Sequence, residues 1–323
     1  MLDNSLTPSL DEVESAAERI RGLVHRTPLL SSRALSERSG LEVWLKAENL
    51  QKTGSFKPRG VFNKVLQLPT QAREVGIVTA SAGNNAQAVA YVAAHQRIPS
   101  YVVMPEAANR SKVAAVREYG SEAILHGEIW DDAFAHSLTI ADEKGLTYVH
   151  PFKDRMIMAG QATIALELVE ELPDVEAILV PIGGGGLIGG IATAMKLKNP
   201  NVRIIGVEPE GAANFKTSHD SGKPVELDTV TTSADGLATK KTDPQVFETI
   251  EASVDDYVTV SDDAMLHAIS FLLERTKLLA ETSGAATTAA LLSGVVDLPP
   301  KTKTVVIISG GNFDVSGKIQ FRA

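Results

Sequence analysis

The chain has 323 residues, a formal net charge of −9, 44% hydrophobic and 22% charged residues, and no cysteine. These proportions suit a globular protein of about two domains with a sizeable core, while the acidic balance argues against a grip on nucleic acid, which needs clustered Lys and Arg. The lack of cysteine excludes disulfides and thiolate metal sites and fits a reducing compartment.

At the amino terminus, acids stand where a signal peptide needs basic residues and then an apolar run. No stretch approaches the ~20 apolar residues of a membrane span, so a cytoplasmic protein without a membrane partner is expected. The first segment with chemical potential is Lys52-Thr53-Gly54-Ser55-Phe56-Lys57-Pro58-Arg59-Gly60. A phosphate-binding loop of the Gly-x-x-x-x-Gly-Lys-Ser/Thr kind is ruled out, because Phe precedes the Lys and Pro follows it. Lys57 reads either as a solvated lysine or as an amine of lowered pKa, made nucleophilic by desolvation and the neighbouring Arg59.

Apolar runs then alternate with periodic stretches. Strands are expected at 76–80, 100–104 and 123–126, with helices at 86–94, 111–119 and 129–144. The 76–80 strand leads into Ser81-Ala82-Gly83-Asn84-Asn85-Ala86-Gln87, which reads as an ordinary helix cap or as an anion site at a helix N-terminus. After a boundary near 147–151, strands at 177–182, 202–207 and 304–308 and a helix at 187–198 repeat the scheme. Such alternation predicts mostly parallel sheets covered by helices. The expected division is a lobe of residues 52–147 inserted into a larger lobe of 1–51 and 148–323, with a cleft between them.

The 177–182 strand runs into Gly183-Gly184-Gly185-Gly186-Leu187-Ile188-Gly189-Gly190, a place where backbone N–H groups and a helix dipole cradle phosphate. A tight packed turn is the plainer alternative. Gly184-x-Gly186-x-x-Gly189 also matches the dinucleotide fingerprint, with Glu208 about 20 residues on, which taken alone predicts an NAD-dependent oxidoreductase. Ser309-Gly310-Gly311-Asn312 closes the last strand, where α/β sheets place ligands. His95, His126, His136, His219 and His267 lack metal-ligand spacing and read as structural or surface residues.

Together these segments, with His25–Leu29, Lys46–Gln51, His150-Pro151-Phe152, Ala159-Gly160-Gln161, Glu208-Pro209 and Ala234-Asp235-Gly236, resemble the fold type II pyridoxal phosphate (PLP) enzymes. The resemblance is to the threonine/serine dehydratase and serine racemase group, and within it to the short catabolic threonine dehydratase without a regulatory domain. It implies an α/β, tryptophan synthase beta-like architecture: two open, twisted, mostly parallel domains with the cofactor in the cleft. It implies that Lys57 carries PLP as a Schiff base and removes the substrate Cα proton. Phe56 would lie beside the ring, Asn84 would bond its 3′ oxygen, Gly183 to Leu187 would hold its phosphate, and Ser309 would face its pyridine nitrogen. Ser81, Ala82, Gly83 and Asn85 would bind the carboxylate of a β-hydroxy-α-amino acid, L-threonine or L-serine, which leaves as a 2-oxo acid and ammonia. A homodimer or homotetramer is expected.

Three departures bear on specificity. Ala82 stands where racemases carry the serine that moves protons on the second face, so racemisation is disfavoured. Asn85 replaces a histidine usual in the group and cannot titrate near neutrality. Arg155 replaces a proline and reads as a surface arginine or as a fork for a second substrate carboxylate, which would favour β-hydroxyaspartate. A divalent cation, Mg²⁺ or Ca²⁺, would use Glu208, Ala212 and Asn214, with one charge fewer than the group's usual Asp supplies.

Overall fold

Two sheets organise the computed structural model, which describes residues 6–313. The strands are β1 (Leu29–Ser31), β2 (Glu42–Lys46), β3 (Ile77–Ala80), β4 (Ser100–Met104), β5 (Glu122–Leu125), β6 (Thr147–Tyr148), β7 (Ala177–Pro181), β8 (Arg203–Pro209), β9 (Asp256–Val260) and β10 (Lys303–Ile307). One sheet runs β5-β4-β3-β6 and the other β1-β2-β10-β7-β8-β9. Every pairing is parallel except β1 with β2.

All five residues of β7 are buried, because helices cover both faces of its sheet. Side chains alternate between those faces. Ile178, Val180, Val305 and Ile307 join one core, and Leu179, Ile205, Val207 and Val306 join the other. The expected strands and helices are all present, with ends moved by one or two residues. The largest extension is the helix expected at 86–94, which runs from Asn84 to Gln96, and β8 continues through Glu208 to Pro209.

Strand order positions the functional turns. The last strand among the described residues, β10, lies between β2 and β7, pairing Val306 with Leu179 and Ile307 with Lys46. Parallel pairing therefore brings the turn after β10 and the glycine run after β7 to one end of the sheet. In the other sheet β3 is internal, and its carboxyl end releases the Ser81–Asn85 segment into the helix Asn84–Gln96.

The helix that begins at Lys57 (Lys57–Val65) packs closely on the helix Arg155–Glu171. Two glycines permit the approach: a Cβ on Gly160 would lie 2.5 Å from Arg59 O and from Gly60 Cα. Arg59, fully buried in the first turn, adds an ionic anchor. Its Nε and Nη2 donate to the two oxygens of Glu48 at 2.9 and 2.8 Å, and Nη1 donates to Glu167 at 2.6 Å. Lys46 Nζ, also buried, meets Glu167 at 2.7 Å. Burial alone would lower the Arg59 pKa, but Glu48 and Glu167 carry it upward, so it stays charged.

Candidate active site

Lys57 is reached from a segment zipped onto the Ser309–Asn312 turn. Phe56 N donates to Ser309 O at 3.1 Å, Gly311 N donates to Gly54 O at 2.8 Å, and Ser55 and Gly310 form an antiparallel bridge. Lys57 Nζ donates to the Pro151 carbonyl at 2.8 Å and lies 5.1 Å from the centre of the Phe56 ring. Desolvation lowers its pKa to about 8. Arg59 plays no part in that shift, contrary to the expectation from sequence, because its charge is matched by Glu48 and Glu167. At pH 7 about a tenth of such an amine is neutral, against about one in a few thousand for an ordinary lysine.

The carbonyl that receives Lys57 is held by His150. Its Nδ1 accepts from the backbone N–H of Phe152 (3.2 Å) and of Lys153 (2.8 Å), which fixes the turn around Pro151. Burial lowers the His150 pKa to about 4, so the ring stays neutral and keeps this acceptor at physiological pH. Phe152, edge-on to His150 with centroids 4.6 Å apart, covers the glycine run.

Each glycine of that run is needed where it stands. A Cβ at Gly183 would lie 2.5 Å from Gly236 O, one at Gly184 would lie 2.2 Å from the Phe152 ring, and one at Gly186 would lie 2.9 Å from Phe152 Cα. Gly185 has φ +87° and is the N-cap of the helix Gly186–Lys198, with no side chain capping it. The first N–H groups of that helix, including those of Gly186 and Leu187, are thus left for an anion. Gly184→Ala is expected to displace Phe152 and to lower stability by about 1–3 kcal/mol, as overpacked cores do. Urea unfolding of the two proteins checks this, and an unchanged midpoint would mean the ring has room to move.

Ser309 is 5% exposed, and its hydroxyl has no hydrogen-bond partner among the described residues. Across the turn, Asn84 Nδ2 donates to Glu281 Oε1, and Asn84 Oδ1 accepts from Asn312 Nδ2 at 2.8 Å. Glu281 was not anticipated from sequence. Its only local sign is a carboxyl before a run of small residues, where it forms the uncapped N-cap of the helix Thr282–Leu292. Burial raises its pKa. Lys112, on the helix after β4, reaches Asp235 at 3.1 Å and so joins the two sheets' helices beside this cluster.

Two expected substrate ligands hold partners within this chain. Asn85 is buried and donates to Thr79 Oγ1 at 3.1 Å; the helix begins at Asn84, so its second residue turns inward and away from the Ser81–Gly83 loop. Ser81, Ala82 and Gly83 do form that loop, with Gly83 N donating to Ser81 Oγ at 3.3 Å and nothing within 4 Å of where a Gly83 Cβ would be. Arg155 is the first residue of a helix capped by Asp154, and its Nε and Nη2 meet Glu12 at 2.9 and 2.8 Å. Its fork is thereby engaged by this chain's own carboxylate. Glu208 accepts from Phe215 N (3.0 Å) and Lys216 N (2.7 Å), serving the helix Asn214–Ser221 as a cap from the end of β8. Burial raises its pKa to about 7. Ala212 and Asn214 are buried next to it, and both amide atoms of Asn214 lack a partner. Among the described residues no cluster of three or more His, Asp and Glu is arranged to hold a metal ion.

A family model described as pyridoxal-phosphate dependent enzyme matches residues 20–310. An L-threonine ammonia-lyase of Geobacter sulfurreducens is 48% identical over 304 residues, covering 94% of this chain and 75% of its own length. The catabolic L-threonine dehydratase TdcB of Escherichia coli is 42% identical over 312 residues, covering 96% and 95%. The solved structure of maize serine racemase superposes with a TM-score of 0.93 at 36% identity, covering 96% of this chain and 95% of that one.

Proposed function

The chain belongs to the pyridoxal-phosphate dependent enzymes, and from that premise we propose that it is an ammonia-lyase converting L-threonine or L-serine to a 2-oxo acid and ammonia. One observation carries the site assignment: Lys57, the uncapped glycine run and the unpartnered Ser309 hydroxyl meet at the carboxyl ends of β7 and β10. These residues fit PLP. The glycine run offers N–H groups to its phosphate, Ser309 offers a neutral hydroxyl to its ring nitrogen, and the lowered Lys57 offers an amine to its aldehyde. Phe56 lies beside Lys57 as a wall for the ring. When bound, PLP supplies an electron sink for the pair left at Cα after proton removal.

The remaining work falls to the protein. The Ser81–Gly83 loop and the uncapped N-terminus of helix Asn84–Gln96 bind the substrate carboxylate. The neutral Lys57 amine takes the Cα proton, with Pro151 O directing its lone pair. The β-hydroxyl departs as water with the proton that Lys57 took from Cα, and the resulting enamine tautomerises and is hydrolysed by water to the 2-oxo acid and ammonia. Ala82 has no proton to move, so the opposite face is silent and elimination is favoured over racemisation. We place the substrate on the lobe of residues 52–147 and the phosphate on the lobe of 1–51 and 148–323. We also place the protein in the cytoplasm, as two or four copies, which light scattering checks.

Threonine and serine are favoured over β-hydroxyaspartate because Arg155 is held by Glu12. Ammonia release from L-threonine, L-serine and the hydroxyaspartate stereoisomers tests the reading, with Arg155→Ala as control. The variant is expected to keep the wild-type ratio of rates within about threefold, a difference below 1 kcal/mol. A selective loss on hydroxyaspartate would return Arg155 to the substrate.

Capture of PLP by the apo-protein should follow the neutral fraction of Lys57. The rate is expected to rise about tenfold per pH unit up to about 8 and then level, because above its pKa the amine is already neutral. Stopped-flow absorbance reads this directly, and a rate still climbing to pH 10 would show an ordinary lysine.

The unpartnered Asn214 amide beside Glu208 supports a weak Mg²⁺ or Ca²⁺ site completed by the Ala212 carbonyl. Calorimetric titration with Ca²⁺ should show tighter binding by Asn214→Asp than by the native chain; equal heats would dismiss the site.

A further inference from the structure

Asn312 ends the turn that begins at Ser309, and both hydrogens of its Nδ2 are used: one to Thr53 O and one to Asn84 Oδ1, each at 2.8 Å. A backbone carbonyl only accepts, so the bond to Thr53 allows Asn312 a single orientation, nitrogen toward Thr53. That same nitrogen then holds Asn84 by its oxygen. The other end of Asn84, its Nδ2, is turned toward Glu281, again an acceptor.

The direction of this chain originates in the backbone. Thr53 has φ 58° and ψ 15°, a left-handed conformation uncommon for a β-branched residue. Gly54 follows with φ +72°, and a Cβ there would lie 2.5 Å from Asn312 Oδ1, so Asn312 is seated directly over the glycine. The bent segment just ahead of Lys57 thus dictates which end of an amide two residues removed in the network is the donor.

We propose that Asn312 is a positioning residue that sets the polarity of Asn84, so that the Thr53–Asn312–Asn84–Glu281 chain presents an N–H, not a C=O, to the ring oxygen of PLP. The proposal rests on the reading that Asn84 bonds that oxygen. A reversed Asn84 would set its oxygen against the Glu281 carboxylate and its nitrogen against the Asn312 N–H, and would turn an acceptor toward the group it is there to hold.

The test uses PLP titrated into apo-protein at pH 8, with the dissociation constant and the thermal midpoint of the apo-protein both recorded. Asn312→Asp has only acceptors to offer, so Asn84 must turn its nitrogen to residue 312 and its oxygen to Glu281. The expected result is PLP binding at least tenfold weaker and a lowered midpoint. Adding Glu281→Gln gives the reversed Asn84 a donor to face. The double variant is expected to recover the midpoint while PLP binding stays at least tenfold weak; it carries the test if Asn312→Asp alone does not fold.

Two outcomes overturn the proposal: Asn312→Asp binding PLP within threefold of wild type, or the double variant recovering affinity together with stability. The second would make Asn312 a brace and nothing more. Asn84→Ala separates the premise from the proposal. If it binds PLP as wild type does, the reading of Asn84 is wrong; if it binds weakly while Asn312→Asp binds normally, only the polarity argument fails.

Discussion

Lys57→Ala is expected to lower ammonia release by about 10³-fold or more, because one amine is assigned two duties and each is worth up to about 10²–10⁴. Without it the cofactor loses its covalent anchor and the substrate Cα loses its base. No neighbour can take over the second duty. His150 is neutral but has its Nδ1 closed by two backbone N–H groups, and Ala82 has no titratable group. The absorbance band near the visible edge should vanish with the activity, and far-UV circular dichroism should be unchanged. A small primary amine added to the variant should restore part of the rate. Turnover within tenfold of wild type would remove Lys57 from the mechanism.

The second large effect is on stability. Arg59→Ala is expected to cost about 3–5 kcal/mol, the range for breaking a buried ion pair from one side. It would leave Glu48, which is fully buried, without its bidentate partner, and Glu167 with Lys46 alone. Arg59→Lys should recover little, since one ammonium cannot reproduce the two parallel bonds to Glu48 and still reach Glu167. Urea unfolding of the apo-proteins measures both. A cost below about 1 kcal/mol would mean that water relaxes into the gap. Arg59 lies two residues after Lys57 on one helix, so the loss should also weaken PLP binding.

The functional turns were legible because each is chemically local. Four glycines after an apolar strand, or Ser-Gly-Gly-Asn after another, announce themselves within a few residues. That they converge was legible only through the family resemblance, since nothing in a strand's own residues says that β10 will enter between β2 and β7. Two arginines hold distant partners that no local pattern announces. Arg155 finds its partner in Glu12 at the other end of the chain, and Arg59 finds its own in Glu48 and Glu167. Asn85 has a local partner for a different reason: the helix starts two residues earlier than the pattern predicts, which turns that side chain to Thr79. Glu281 left almost no trace, because a lone acid before small residues looks like any helix start.

The position of β10 also has a consequence for synthesis. The larger sheet has a vacancy at its centre until residues 303–307 emerge from the ribosome. The four-stranded sheet draws all its strands from residues 77–148 and can form early, whereas β2 and β7 wait, with apolar edges unpaired, for the final strand to join them. Contacts of such sequence separation form slowly and expose aggregation-prone intermediates. Ribosome-bound chains stalled before residue 303 should therefore engage holding chaperones, and release should coincide with the first moment at which PLP can be retained.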